Sequence, residues 1–106
     1  MQEKEENTQK RKIDENVIYI GSKPFANYAM ALFTQISRKE QKEIKVVARG
    51  GFISRAVDVV EMAKRSFSEG ENKIKEINIK TGSEKFKKED GREINISVIE
   101  ITIKKE

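Results

Sequence analysis

The fold is decided by the stretch VIYIGSKPFANY at residues 17–28. It opens with four apolar residues, which predict a short strand ending at Gly21, either covered on both faces or lying at an interface. Ser22 is a residue type that caps helices, and Pro24 suits a first helical turn because it has no N–H group to satisfy. The stretch therefore predicts a strand, a tight turn that contains Lys23, and the beginning of a helix.

This turn is a candidate anion site. Backbone N–H groups at a helix N-terminus, the positive end of the helix dipole and the Lys23 ammonium would all point in one direction. Phosphate is an anion that such an arrangement binds. Lysine also occurs in such turns without any ligand, so these residues alone leave both interpretations open.

The following segments repeat the arrangement. Apolar residues at helical spacing predict a first helix over residues 24–38, and β-branched residues predict a second strand over residues 44–49. A strand, a helix and a strand with short connections form a right-handed unit with parallel strands. The second strand ends at Arg49, and two glycines and a second helix follow it. Because parallel strands end at the same edge of a sheet, we expect Lys23 and Arg49 to be neighbours.

The last third of the chain predicts a long hairpin. Alternating isoleucines mark strands on both sides of a polar segment, residues 80–92, which we expect to be a flexible loop with a turn at Asp90-Gly91. The alternation changes phase at Val98-Ile99, which indicates either a bulge or a strand buried on different faces along its length. The loop is net positive, so it is either an arm for a DNA groove or a solvated surface hairpin.

Composition narrows the class of protein. The chain has 106 residues, 38% of them charged, a net charge of +4 and a pI of about 9.3. Its length fits one domain, and its charge favours an acidic partner such as nucleic acid, an anionic membrane or an acidic protein. Residues 1–15 are almost wholly polar and predict a disordered tail, which leaves residues 16–106 as the single domain.

Two residue types that often form catalytic and metal sites are missing. The sequence contains no cysteine and no histidine, which excludes a thiol nucleophile, a zinc site with cysteine ligands and a histidine general base. No apolar run approaches the roughly 20 residues of a membrane-spanning helix. We therefore expect a soluble intracellular protein that is not an enzyme and uses no metal or cofactor.

Three motifs at their observed distances resemble the Alba (Sac10b) family of archaeal chromatin proteins. They are GSKPFANY at residues 21–28, ARGGFISRAVD at residues 48–58 and DGR at residues 90–92, and the resemblance covers residues 16–105. It implies an α+β fold, a two-layer α/β sandwich with the element order βαβαββ. The four-stranded mixed sheet would carry two helices on one face, as in the C-terminal domain of translation initiation factor 3.

The resemblance also implies a function. Family members form homodimers that coat and compact double-stranded DNA without sequence preference. We therefore expect a cytoplasmic, chromosome-associated protein with possible higher-order assembly on DNA and no membrane partner. Many members also bind RNA, and a related branch belongs to RNase P complexes. The alternative is therefore an RNA-binding protein that acts in RNA metabolism or as an RNase P-like subunit.

The resemblance assigns candidate residues to this function. Phe67 would mediate contact between dimers, and Lys23 is a possible modification site. Some members have a further lysine, a proposed acetylation site, where this chain has Ser22, so acetylation at that position is not available. Tyr28 is alternatively an ordinary half-buried core aromatic. For nucleic-acid contact the resemblance assigns Lys23 and Arg49. The residues themselves add the candidates Asn27, Tyr28 and Arg55 in the body and Lys85, Lys87, Lys88 and Arg92 in the hairpin.

Overall fold

The structure, a computed structural model, describes residues 16–106. The predicted disordered tail, residues 1–15, lies outside the described residues. The elements are β1 (Val17–Tyr19), α1 (Phe25–Ser37), β2 (Glu43–Arg49), a single 3-10 turn (Gly50–Phe52), α2 (Ile53–Ser66), β3 (Ile74–Lys87) and β4 (Glu93–Lys105).

The four strands form one mixed sheet in the order β1-β2-β4-β3. β1 is parallel to β2, whereas β4 is antiparallel to both of its neighbours. The predicted α+β class and element order are confirmed. Of the two alternatives for the first strand, cover on both faces is wrong, because β1 is an edge strand whose Tyr19 side chain is exposed. A position at an interface stays a prediction.

The core lies between one face of the sheet and the two helices. Strand register sets Ile44 opposite Ile103 and Val46 opposite Ile101, so alternate residues of the two central strands form a continuous apolar surface. Both helices pack on this face, as predicted. The largest fully buried side chains are Leu32, Ile36, Ile44, Val46, Val59, Ile101 and Ile103.

Not every apolar residue of the helices faces the sheet. In α2 the buried residues include Val59, whereas Val57 is partly exposed. In α1 the buried set includes Tyr28, whereas Phe25 is exposed. Helical periodicity locates an apolar stripe only to within about one residue position, and the sheet decides which edge of a wide stripe is covered.

The change of phase at Val98-Ile99 occurs without a bulge. Pairing between β3 and β4 is regular through this point, and the only register shift lies between Ile74 and Glu76. Ile99, which pairs with the last residues of β2, faces the helices and is buried, whereas Val98 faces the opposite side and is half-buried. The second alternative, a strand buried on different faces along its length, is therefore confirmed.

The predicted loop over residues 80–92 is wrong, because most of it is strand. β3 and β4 remain paired as far as Lys87 and Glu93, and β2 ends opposite Val98, so residues 83–97 form a two-stranded ribbon, here called the arm. Only residues 88–92 connect the strands, and Gly91 has φ 90°, which confirms the turn at Asp90-Gly91. The strands of the arm satisfy their backbone hydrogen bonds by pairing with each other and bury little surface. They therefore need few apolar residues, and their sequence resembles that of a loop.

A buried lysine, Lys105, lies at the end of β4 opposite the arm. Lys105 is only 7% exposed, and its Nζ donates hydrogen bonds to the carbonyl oxygens of Ile36 (2.6 Å) and Arg38 (2.7 Å) and to Asn72 Oδ1 (3.1 Å). The two carbonyls belong to the C-terminal end of α1, where a positive charge is favourable. Burial lowers the pKa of this ammonium, and the nearby Lys42 lowers it further. Within the described part of the chain, no helix is long and apolar enough to cross a membrane.

Candidate nucleic-acid interface

The segment of residues 20–24, here called the lysine turn, is held by contacts from both helices. The Lys23 backbone N–H donates to the Tyr28 hydroxyl at 3.0 Å. The Lys23 carbonyl accepts a 2.6 Å hydrogen bond from Arg55 Nη1, which also donates to the Gly21 carbonyl at 3.1 Å. The backbone of Lys23 is therefore fixed on both sides while its side chain is exposed.

Gly21 makes this arrangement possible. A Cβ atom added at Gly21 would lie 3.3 Å from the Tyr28 hydroxyl oxygen, closer than an ordinary contact. The absence of a side chain therefore lets the hydroxyl approach the turn. Tyr28 itself is 8% exposed and belongs to the core, so the structure favours the core interpretation of this ring.

The predicted cap of α1 is wrong in detail. Pro24 precedes the helix instead of occupying its first turn, its carbonyl accepts the Asn27 N–H at 3.0 Å, and no side chain, Ser22 included, caps the helix. The Lys23 N–H, which could have met an anion, is already bonded to Tyr28. An anion at this turn would therefore depend on the exposed Lys23 ammonium more than on the helix terminus.

Arg55 connects the two helices through the lysine turn. It lies in the first turn of α2, and its Nη1 donates hydrogen bonds to two carbonyls of the lysine turn, which hold the guanidinium against that turn. This explains why a cation is tolerated at a helix N-terminus, where the dipole disfavours it. Arg55 therefore positions Lys23.

Arg49, at the end of β2, forms a two-pronged ion pair with Glu84. Its Nε lies 2.7 Å from Oε1 and its Nη2 lies 3.0 Å from Oε2. Both side chains are about half exposed. The hydrogen bond from Arg49 lowers the pKa of the Glu84 carboxyl, and the same bond raises the pKa of Arg49, so both groups are charged at neutral pH. Arg49 thus already has a carboxylate partner where the sequence predicts an anionic ligand.

The two strand lysines of the arm share one face of the ribbon. Lys85 pairs with Asn95 and Lys87 pairs with Glu93, so these lysines lie on one face of the ribbon, while Phe86 pairs with Ile94 on the other. Lys87 stands five residues beyond the level of Arg49, which corresponds to about 17 Å of extended strand. The basic face of the arm thus lies well away from the lysine turn of the same chain.

Not every cation of the arm is equally available. At the tip, Arg92 Nε lies 2.8 Å from Asp90 Oδ2, and the Arg92 backbone N–H donates to Oδ1 at 3.0 Å. Lys85, Lys87 and Lys88 are exposed and form no ion pair within residues 16–106. The same description applies to Lys23.

Two further predicted residues have clear positions. Asn27 is exposed in the first turn of α1 and lines a shallow groove with Lys23 and Tyr19, between β1 and the helix. Phe67 follows the end of α2 and is half-buried, and its ring meets Phe33 edge to face with centroids 5.3 Å apart. Phe67 therefore supports the packing of the two helices and also retains an exposed part.

Of the predicted residues, the structure brings together Lys23, Tyr28 and Arg55. Arg49 ends the strand beside β1, so it shares the sheet edge of the lysine turn. The arm residues form a separate group. Sequence reasoning missed the contact of Glu84 with Arg49. The turn at Asp90-Gly91 could have given the register between β3 and β4. The contact also depends on the register between β2 and β4, which no short sequence motif indicates. Across residues 16–106, no group of three or more acidic side chains is placed to hold a metal ion.

Comparisons with known proteins agree with this architecture. The family model named Alba matches residues 16–81. The DNA/RNA-binding protein Alba of Methanococcus maripaludis is 46% identical over 89 residues, which cover 84% of this chain and 97% of that protein.

Solved structures give the same result. Alba from Thermoplasma volcanium has a TM-score of 0.73 and 37% identity, with 85% of this chain and 100% of that chain covered. ALBA1 from Trypanosoma brucei has a TM-score of 0.60 and 25% identity, with 85% and 68% covered. The sheet order, the lysine turn and the arm thus occur in a chain whose sequence and fold both match one family, and the chain belongs to the Alba family.

Proposed function

We propose that this protein binds double-stranded DNA without sequence preference and coats and compacts it as a homodimer. The observation that carries the proposal is the set of exposed lysines that have no ion pair within the described residues, one on a rigid turn and the others on the arm. Lysine acts as a point charge on phosphate oxygens, and phosphate contacts carry no sequence information. Nonspecific binding follows from such contacts.

The two groups of lysines would act at different places on the duplex. Lys23, on its fixed backbone, would contact phosphates at the body of the protein. Lys85, Lys87 and Lys88 on the arm would follow the backbone and enter a groove. Arg92 and Arg49 would contribute after exchanging their carboxylate partners for phosphate, and Asn27 would add a polar contact beside Lys23.

A dimer would place two lysine turns and two arms on one duplex. Large apolar side chains that remain exposed on the described chain, such as Met30 (68%) and Ile79 (63%), are available for contacts between copies. The exposed part of Phe67 would serve contacts between dimers. Such a coat would place the protein on the chromosome in the cytoplasm, and acetylation of Lys23 would weaken it by removing a charge.

RNA is the second candidate partner. The Methanococcus relative is named as a DNA/RNA-binding protein, and lysines that contact phosphates serve either polymer. A role in RNA metabolism or as an RNase P-like subunit would need preference for A-form geometry and 2′-hydroxyl groups.

Fluorescence anisotropy with the full chain tests both candidates. We expect several unrelated DNA duplexes of equal length to bind with affinities that agree within about threefold, well under the cost of a single mismatch in a specific site. A matched RNA duplex should compete no better than DNA at physiological salt. A strong preference for one DNA sequence would contradict the nonspecific mechanism, and clear preference for RNA would favour the second candidate.

A further inference from the structure

The contact between Arg49 and Glu84 connects the two parts of the proposed interface. Arg49 ends β2 beside the lysine turn, and Glu84 lies near the base of the arm on β3. The two residues lie on opposite sides of β4, since Arg49 is opposite Val98 and Glu84 is opposite Ile96. The carboxylate of the arm is therefore bonded directly to the cation that ends the body.

The geometry of this pair leaves little of the guanidinium for a second anion. Arginine has five N–H donors, and the fork formed by Nε and Nη2 is the one that binds a carboxylate or a phosphate with two parallel bonds. Glu84 occupies that fork, at 2.7 and 3.0 Å. A phosphate that needs the same two donors must displace the carboxylate.

The exchange is feasible because the pair is exposed. The Arg49 side chain is 46% exposed and the Glu84 side chain is 51% exposed, so water and ions reach both groups. Exposed ion pairs are weak, and a nucleic acid with its high density of phosphates can compete with one. A buried pair would instead keep Arg49 permanently occupied.

We propose that Glu84 competes with nucleic-acid phosphate for Arg49 and thereby limits the affinity of the interface. This inference rests on the proposed function. It makes Glu84 a built-in competitor that lets the protein hold DNA and still release it. The alternative is that Glu84 orients Arg49 toward phosphate, and the two mechanisms predict opposite effects of removing the carboxylate.

The test is a double-mutant cycle with wild type, Glu84→Gln, Arg49→Ala and the double variant. Binding of one random-sequence DNA duplex is followed by fluorescence anisotropy. We expect Glu84→Gln to tighten binding about two- to fivefold when Arg49 is present, the range expected for removal of an exposed ion pair.

Removing any negative charge from the arm reduces its repulsion of DNA, and two controls measure this general effect on affinity. Glu93→Gln makes the same charge change on the neighbouring strand, away from Arg49. Glu84→Gln in the Arg49→Ala background should tighten binding no more than this control does. Equal tightening with and without Arg49 would overturn the proposal, and so would weaker binding of the single variant, which would identify Glu84 as an orienting residue.

The failure of this inference can be distinguished from failure of the proposed function. A wild-type protein that does not bind DNA overturns both. Wild-type binding together with no coupling between the two positions overturns only the role of Glu84. Because the pair is exposed, we expect all four proteins to fold, and circular dichroism would establish this before the binding measurements.

Discussion

At the scale of single residues, the proposed interface depends on side chains that hold other groups in place. Arg55 and Tyr28 both bond to the backbone of Lys23. Lys105 does the same at the other end of α1, where it bonds to two carbonyls of the helix end. Three polar side chains thus fix backbone that would otherwise have unsatisfied groups.

Lys105→Met gives a prediction at this scale. The variant keeps the apolar stem but leaves the Ile36 carbonyl and Asn72 Oδ1 without the Lys105 donor, while the Arg38 carbonyl still accepts the Gln41 N–H. We expect the free energy of unfolding at neutral pH to fall by about 1–3 kcal/mol, the cost of unpaired buried acceptors. Urea denaturation measures this, and Lys104→Met, on the other face of β4, is the control.

The same variant has a predicted pH dependence. The pKa of Lys105 is lowered in the folded state from its ordinary value of 10.5. Between the lowered pKa and 10.5 the unfolded chain binds more protons than the folded chain, so the wild-type free energy of unfolding rises with pH relative to the variant. The stability advantage of wild type over Lys105→Met should therefore grow as pH increases toward 10.5. An advantage that shrinks over this interval would contradict the account.

At the scale of elements, the arm differs from the rest of the sheet. Its strands pair only with each other beyond the end of β2, whereas β4 near Ile101 lies between two strands and below the helices. Two-stranded ribbons are marginally stable in water. The arm combines this weak support with a basic face, which suits a segment that becomes ordered against a nucleic acid.

Hydrogen exchange tests the behaviour of the arm. We expect backbone amides at Lys85, Lys87 and Asn95 to exchange at least about tenfold faster than that of Ile101, because local opening of a solvated ribbon costs less than opening the core. Saturating DNA should slow exchange in the arm and leave Ile101 unchanged. Arm amides that are unaffected by DNA would contradict a role of the arm in binding.

Elements with buried periodic residues could be predicted from the sequence, and the arm could not. The order βαβαββ and the parallel β1 and β2 follow from apolar spacing and short connections, and both are observed. Residues 80–87 resemble a loop in sequence because they are polar and show no apolar alternation. Their strand is stabilised by pairing with β4, which the sequence of the segment does not reveal. The pair of Arg49 with Glu84 was not predicted either, because it depends on the registers of three strands together.

At the scale of the whole molecule, the body and the arm present separate positive sites. Lys87 lies about 17 Å along the strand from the level of Arg49, which ends β2 beside the lysine turn. Lysines at both places can therefore contact different phosphates of one duplex. Affinity in such an arrangement comes from many weak phosphate contacts. Each contact should therefore contribute a part of the slope of log K against log salt.

The most direct test compares the salt dependence of DNA binding for wild type, Lys23→Ala and Lys39→Ala. Lys39 is an exposed lysine after the opposite end of α1, so its removal makes the same charge change away from the lysine turn. We predict that Lys23→Ala weakens binding to unrelated duplexes equally and reduces the slope of log K against log salt by about 0.9 for each phosphate that the variant no longer neutralises, whereas Lys39→Ala leaves the slope near that of wild type. A slope unchanged by Lys23→Ala, or an altered preference among sequences, would contradict the phosphate-contact mechanism.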